Sequence, residues 1–265
     1  MTTNPGGKGR MGRPGRNGWY VRIVGFALLV AVGLPASAVA ASGQPGADKG
    51  PSPDERADVV EAQMTLAEKV NLVTGVAPCA EGADGLVVGS PRLGIPDLKF
   101  AGAGMGVTAG CPGQQHGRGT ELPAPIAMAA SWDPQVAFAH GALIGKETRQ
   151  MGFNVAIGGD VNLARDPRNG RTFEAEGEDP YLAGTMVAAQ LRGTQAQHLP
   201  ATIKHFALNN EEANRISASS NVDERTMREL ELSAFELGIK GSGAAAVMCS
   251  YNKVNGVGAC ETTVC

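Results

Sequence analysis

From residue 54 onward, apolar positions fall into two rhythms that take turns along the chain. In "DERADVVEAQMTLAEKVNLVTG" they recur at helical spacing. Thr65 and Glu68 stand there in capping-box spacing, ahead of a second helical stretch that ends at Gly75. "IPDLKFAGAG" reads as a short strand running into a Gly-rich loop. "WDPQVAFAHGALIGKETRQMG" puts Asp133 at an N-cap, Pro134 at the first helical position and Gly152 at the close. "NVAIGGDVNLA" is a strand with its continuation, and "DPYLAGTMVAAQLRG" repeats the Asp-Pro helix opening at Asp179 and Pro180. "ATIKHFAL" is a strand, "DERTMRELELSAFELGIK" an amphipathic helix and "GAAAVMCSYN" another strand.

These strands are short, apolar and non-alternating, and helices separate them, which is the pattern of parallel strands covered by helices. Three of them turn polar at their C-terminal ends, at 162–165, Lys204–His205 and 250–252. Doubly wound sheets and (β/α)8 barrels both place ligands at that edge. No G-x-G-x-x-G follows a strand, so the sequence predicts an α/β fold of the (β/α)8 TIM-barrel type.

Residues 1–53 do not share this pattern. "KGRMGRPGRNGWYVR" is basic, "IVGFALLVAVGL" is apolar but too short for a membrane span, and "PASAVAASG" offers A-x-A spacing. The expectation is a signal peptide over 1–40 cleaved after Ala40, a flexible linker over 41–53, and a secreted domain over 54–265. A net charge of −3, with basic residues clustered only at the N-terminus, argues against nucleic acid as a partner. Export permits disulfides, and there are five cysteines. Cys249 and Cys260 bracket a loop with a Gly turn, Cys79 and Cys111 bracket "GIPDLKFAGAG", and Cys265 is left over; five unpaired thiols are the alternative. No Cys or His spacing suggests a metal site.

The densest chemistry lies in "RDPRNGRTFEAEGEDPYLAG", whose arginines and carboxylates a core does not tolerate unpaired. Arg165 and Arg168 are expected to pair with Glu174, Glu178 or Asp179 and stiffen the loop, Asp179 to cap a helix, and His116 to be a loop residue.

That run, followed in order by "TIKHFALNNEEANR", "VDERTMRELELSAFE" and "VMCSYNKVNG", resembles the N-terminal barrel domain of glycoside hydrolase family 3. "MTLAEKVNLVTG", "PAPIAMAASWDP" and "LARDPR" add to the likeness, which runs from residue 54 to residue 265. The resemblance implies a β-glucosidase-like enzyme that hydrolyses O-glycosidic bonds of small β-glycosides with retention, without cofactor or metal. It implies that Arg171, Lys204 and His205 hold hydroxyls of the sugar and that Met248 and Tyr251 line the same subsite. Fixed donors of this kind suit a hydroxyl-rich ring.

Two departures accompany the likeness. Gly102, in "AGAGMGV", stands where the family carries an Asp that binds sugar hydroxyls, and the nucleophilic Asp and the last barrel strands are expected beyond Cys265. On that reading the chain is a fragment, inactive by itself. The rivals are a β-N-acetylhexosaminidase or β-xylosidase of the same family, and a non-catalytic carbohydrate-binding barrel. The run "KHFALNNEE", without a second His, favours the glucosidase-like branch over the hexosaminidase.

Overall fold

A computed structural model describes residues 50–76, 79–108 and 119–261. The chain divides into two units, Met1–Gly50 and Pro51–Cys265. The expected signal peptide, most of the linker, His116, Cys111 and Cys265 lie outside the described residues.

The second unit opens with α1 (Pro53–Glu61) and α2 (Leu66–Leu72). Ser52 with Glu55 and Thr65 with Glu68 both form complete capping boxes, so each helix start satisfies its own orphan N–H groups. Strand β1 (Gly85–Val87) pairs antiparallel with β2 (Leu98–Gly102). Helices α3 (Pro125–Ala129) and α4 (Pro134–Gln150) lead to β3 (Val155–Asp160). Helix α5 (Pro180–Gln195) then leads to β4 (Ala201–Phe206). Asp133 and Asp179 accept backbone N–H bonds at the starts of α4 and α5, each followed by Pro, as the Asp-Pro dipeptides predict.

The two-residue strand β5 (Ser219–Ser220) and α6 (Glu224–Thr226) come next. A π-helical segment, Met227–Glu231, joins α6 to α7 (Leu232–Ser242), so the single helix expected here is interrupted. Strand β6 (Ala246–Cys249) follows, and then the hairpin of β7 (Lys253–Val254) and β8 (Val257–Gly258).

The main sheet runs in the order β1-β2-β3-β4-β6, with β2, β3, β4 and β6 parallel. Its strands alternate with α4, α5 and α7, which makes it an arc of a (β/α)8 barrel; among the described residues it does not close on itself. Val161, Val187, Leu191, Ile203 and Phe235 form the largest core cluster, between sheet and helices. Helices α4 and α5 approach to backbone contact: a Cβ on Gly141 would lie 1.9 Å from the Gln190 carbonyl oxygen, and one on Gly193 2.1 Å from that of Phe138. Only glycine permits that spacing.

Beyond β6 lies a small sheet in the order β5-β7-β8, whose Val254, with Ala259, is buried in the main core cluster. A disulfide between Cys249 and Cys260, with Cα atoms 5.9 Å apart, ties β6 to the end of that hairpin. Cys79 is also disulfide-bonded.

Candidate active site at the strand ends

The charged loop after β3 is braced, but not as its sequence suggests. Arg165 reaches out of the loop to Glu231 in the π-helical segment, at 2.6 Å, where Asn210 also donates to that buried carboxylate. It leaves the strand end facing that segment, so Glu231 satisfies it rather than Glu174, Glu178 or Asp179. Arg168 folds back on Asp166, two residues away, at 2.6 Å. Each guanidinium thus takes the carboxylate its fork can meet.

Glu174 is left to Arg171 and Lys204. Arg171 grips it with two bonds, Nε to Oε1 at 2.9 Å and Nη2 to Oε2 at 2.6 Å. Lys204 Nζ, on the C-terminal half of β4, donates to the same Oε2 at 3.1 Å. Burial pushes the Glu174 carboxyl up, but the Arg171 hydrogen bond and the Lys204 charge outweigh it and hold it at about 2. Burial likewise pulls the Arg171 guanidinium down, and Glu174 more than reverses this.

The ion pairs continue away from the cleft. Arg171 Nη1 lies 4.0 Å from Glu212, Glu212 holds Arg215 at 2.7 Å, and the Arg215 guanidinium sits 5.0 Å from the ring centroid of Tyr251. One run of alternating charge therefore spans the loops after β3, β4 and β6.

Arg171, Glu174 and Lys204 form one wall of a cleft of about 600 Å³. Gly102 to Gly106, Thr108, Glu121, Leu122 and Phe173 line the rest of it. Of the five sugar-binding residues expected, two lie on this cleft. His205 is buried beneath it, with Nδ1 3.3 Å from Asp160 Oδ2 and its backbone N–H bonded to Asn162 at 2.9 Å. Two cis peptide bonds, Lys204–His205 and Phe206–Ala207, occur at this strand end. Met248 is half-buried on β6, and Tyr251 is exposed under Arg215.

The sequence reading missed Glu174, Glu212, Arg215 and Asp160 as parts of the site. Glu212 and Arg215 stand in the same quoted run as Lys204, "TIKHFALNNEEANR", and that proximity was the available signal. Glu176 is a further surprise. It is 1% exposed, neither carboxyl oxygen has a hydrogen-bond partner, and burial together with the Asp160 charge raises its pKa well above the ordinary value. Among the described residues no cluster of three or more His, Cys, Asp or Glu is arranged to hold a metal ion.

Arranged this way, the cleft offers cationic donors, each fixed by a shared carboxylate. It suits an uncharged, hydroxyl-bearing ring better than a phosphate, because Glu174 already neutralises much of the positive charge.

Known proteins agree with this reading of the fold. A β-glucosidase of Rhizobium radiobacter is 38% identical over 200 residues, covering 75% of this chain and 24% of its own length. The probable β-glucosidase F of Aspergillus fumigatus is 40% identical over 212 residues, covering 76% of this chain and 23% of its own. The chain thus spans about a quarter of the length of these curated relatives.

Among solved structures, β-glucosidase 3B from Thermotoga neapolitana, in complex with α-D-glucose, superposes with a TM-score of 0.72 at 34% identity. That match covers 77% of this chain and 30% of the other. DesR, a β-glucosidase from Streptomyces venezuelae in complex with D-glucose, gives 0.71 at 40% identity, over 77% of this chain and 26% of the other. The family model for the glycosyl hydrolase family 3 N terminal domain matches residues 105–263, and the chain belongs to that family.

Proposed function

We propose that this barrel supplies the sugar-binding floor of a β-glucosidase that cleaves small β-glucosides with retention of configuration. The observation that carries the reading is the grip of Arg171 and Lys204 on one carboxylate, Glu174, in the lining of the cleft. Three fixed groups present donors and acceptors to the hydroxyls of the non-reducing sugar, holding the ring where its anomeric carbon can be attacked. Retention requires a carboxylate nucleophile and a second carboxyl as acid and base, about 5–5.5 Å apart. His205, locked by Asp160 and Asn162, supports Lys204 from below. The printed names of the relatives and the glucose in two of the solved neighbours support the sugar. The protein acts outside the cytoplasm, a reading supported by the Cys249–Cys260 disulfide and the leader pattern.

The test is glucose release from p-nitrophenyl β-glucoside by the full-length protein. Lys204→Ala and Arg171→Ala each lower kcat/KM by about 100-fold or more, since each strips a charged hydrogen bond from the sugar and frees its partner. Hydrolysis of the xyloside or N-acetylglucosaminide in preference, or glucose binding without turnover, would replace this reading by one of its rivals.

A further inference from the structure

Exposure along the cleft is graded. Lys204 is buried and Arg171 and Glu174 are half-buried, whereas Phe173 and Met105, on the same lining, are 41% and 40% exposed. Both are held by the backbone that carries them. Phe173 lies in a single 3-10 turn, Thr172–Glu174, which the Arg171–Glu174 ion pair spans and the Glu174 N–H closes on the Arg171 carbonyl at 2.9 Å. Thr172 turns back into the loop, its hydroxyl donating to the Asn169 carbonyl at 3.0 Å, while Phe173 lines the cleft. Met105 accepts the N–H of Leu122 at its carbonyl, at 3.0 Å, and Leu122 lines the cleft too. Next to Met105, Gly106 has a φ of 115°, and a Cβ there would lie 2.2 Å from the Thr120 carbonyl oxygen. Only glycine permits that closely packed loop.

One exposed apolar side chain on a protein surface needs no explanation, but two large ones on the lining of one cleft do. We infer that Phe173 and Met105, with Leu122, form an apolar rim that takes the aglycone, so that β-glucosides of apolar alcohols are the preferred substrates. This rests on the sugar-binding reading of the cleft and names the leaving-group side of that same site. The grading of exposure sets the direction. A sugar seated on the buried and half-buried charged groups has only the exposed side left for its aglycone, and there it meets Phe173 and Met105. An alkyl or aryl aglycone laid against them removes apolar surface of both partners from water. The turn and the loop are already fixed, so little backbone ordering opposes that contact. Glu121, exposed on the same lining, disfavours an anionic aglycone.

The test is competitive inhibition of p-nitrophenyl β-glucoside hydrolysis by methyl, butyl and hexyl 1-thio-β-glucosides, with the full-length protein. The three share one sugar and differ only in apolar length, so their inhibition constants read aglycone contact without leaving-group chemistry. Wild-type protein binds the hexyl compound about tenfold or more tighter than the methyl one. Phe173→Ala and Met105→Ala each cut that ratio by about threefold or more. A merely structural role for these side chains would weaken all three inhibitors alike and keep the ratio, and that result overturns the rim. Should Phe173→Ala fail to fold, an unchanged ratio in Met105→Ala, at an exposed site, overturns it. A wild-type ratio near one, or no inhibition by any of the three, overturns the rim while glucose release stands. Wild-type protein that releases no glucose from p-nitrophenyl β-glucoside overturns the sugar-binding reading and the rim with it.

Discussion

Replacing Glu174 by Gln removes the negative charge that Arg171 and Lys204 share, while keeping the side chain's shape. The folded protein holds this carboxyl at about 2 against an ordinary 4.5. That gap amounts to about 3 kcal/mol, at roughly 1.36 kcal/mol per tenfold change in proton affinity. The side chain is 17% exposed, so solvent screening does not cancel it. Because the folded value is depressed, the contribution is complete above the unfolded value and is lost as pH falls from 4.5 towards 2.

Urea unfolding of wild type and Glu174→Gln, followed by circular dichroism across a pH series, measures the difference directly. The variant is less stable by about 3 kcal/mol at pH 7, and the gap narrows to about 2 kcal/mol near pH 3.5, where the carboxyl of the unfolded wild-type chain is protonated while the folded one is still ionised. Other carboxylates, such as Asp166 with its Arg168 partner, titrate equally in both proteins and cancel. A gap under about 1 kcal/mol at pH 7, or one that does not change with pH, refutes the account of Glu174 as the charge that holds both cations.

The neighbouring carboxyl behaves in the opposite sense. Glu176 is buried without a partner and its folded pKa is raised, so its native proton becomes a growing cost as pH climbs above the unfolded value. Glu176→Gln is therefore more stable than wild type at pH 8, by a margin that shrinks towards zero near pH 4. The same urea series reads this, and a pH-independent margin contradicts it. At the contact of α4 with α5, Gly193→Ala places a methyl 2.1 Å from the Phe138 carbonyl oxygen and 2.8 Å from the Ala142 nitrogen. Both are backbone atoms of α4, so the helices separate and stability falls by about 3 kcal/mol. A loss below about 0.5 kcal/mol in urea unfolding would mean the helices are not packed backbone to backbone.

The main helices and parallel strands were legible from local signals because capping and apolar patterning act over a few residues, whereas β1, α3 and the small β5-β7-β8 sheet were not. Asp133-Pro134 and Asp179-Pro180 start helices where they stand, since a cap needs only the next three residues. The apolar runs at 155–160 and 201–206 declared buried parallel strands without help from the rest of the chain. Lys204 was legible as a strand-end residue because polar residues after an apolar run sit at the carboxyl edge, whereas Arg171 was legible only through the resemblance of its run to the family.

What the sequence could not assign were partners. Arg165 and Glu231 are 66 residues apart, Lys204 and Glu174 are 30 apart, and Asp84 meets Gly102 only because β1 pairs with β2. Loop charge alone offers Arg165 several carboxylates at similar separation along the chain. The choice among them depends on where the barrel curves and which side chains it brings face to face. The burial of Glu176 and His205 is of the same kind: a charge next to a strand reads as solvated until the loop that covers it is folded. Local propensity and patterning set the elements, while desolvation and ion pairing, which act across space, decided what the site is made of.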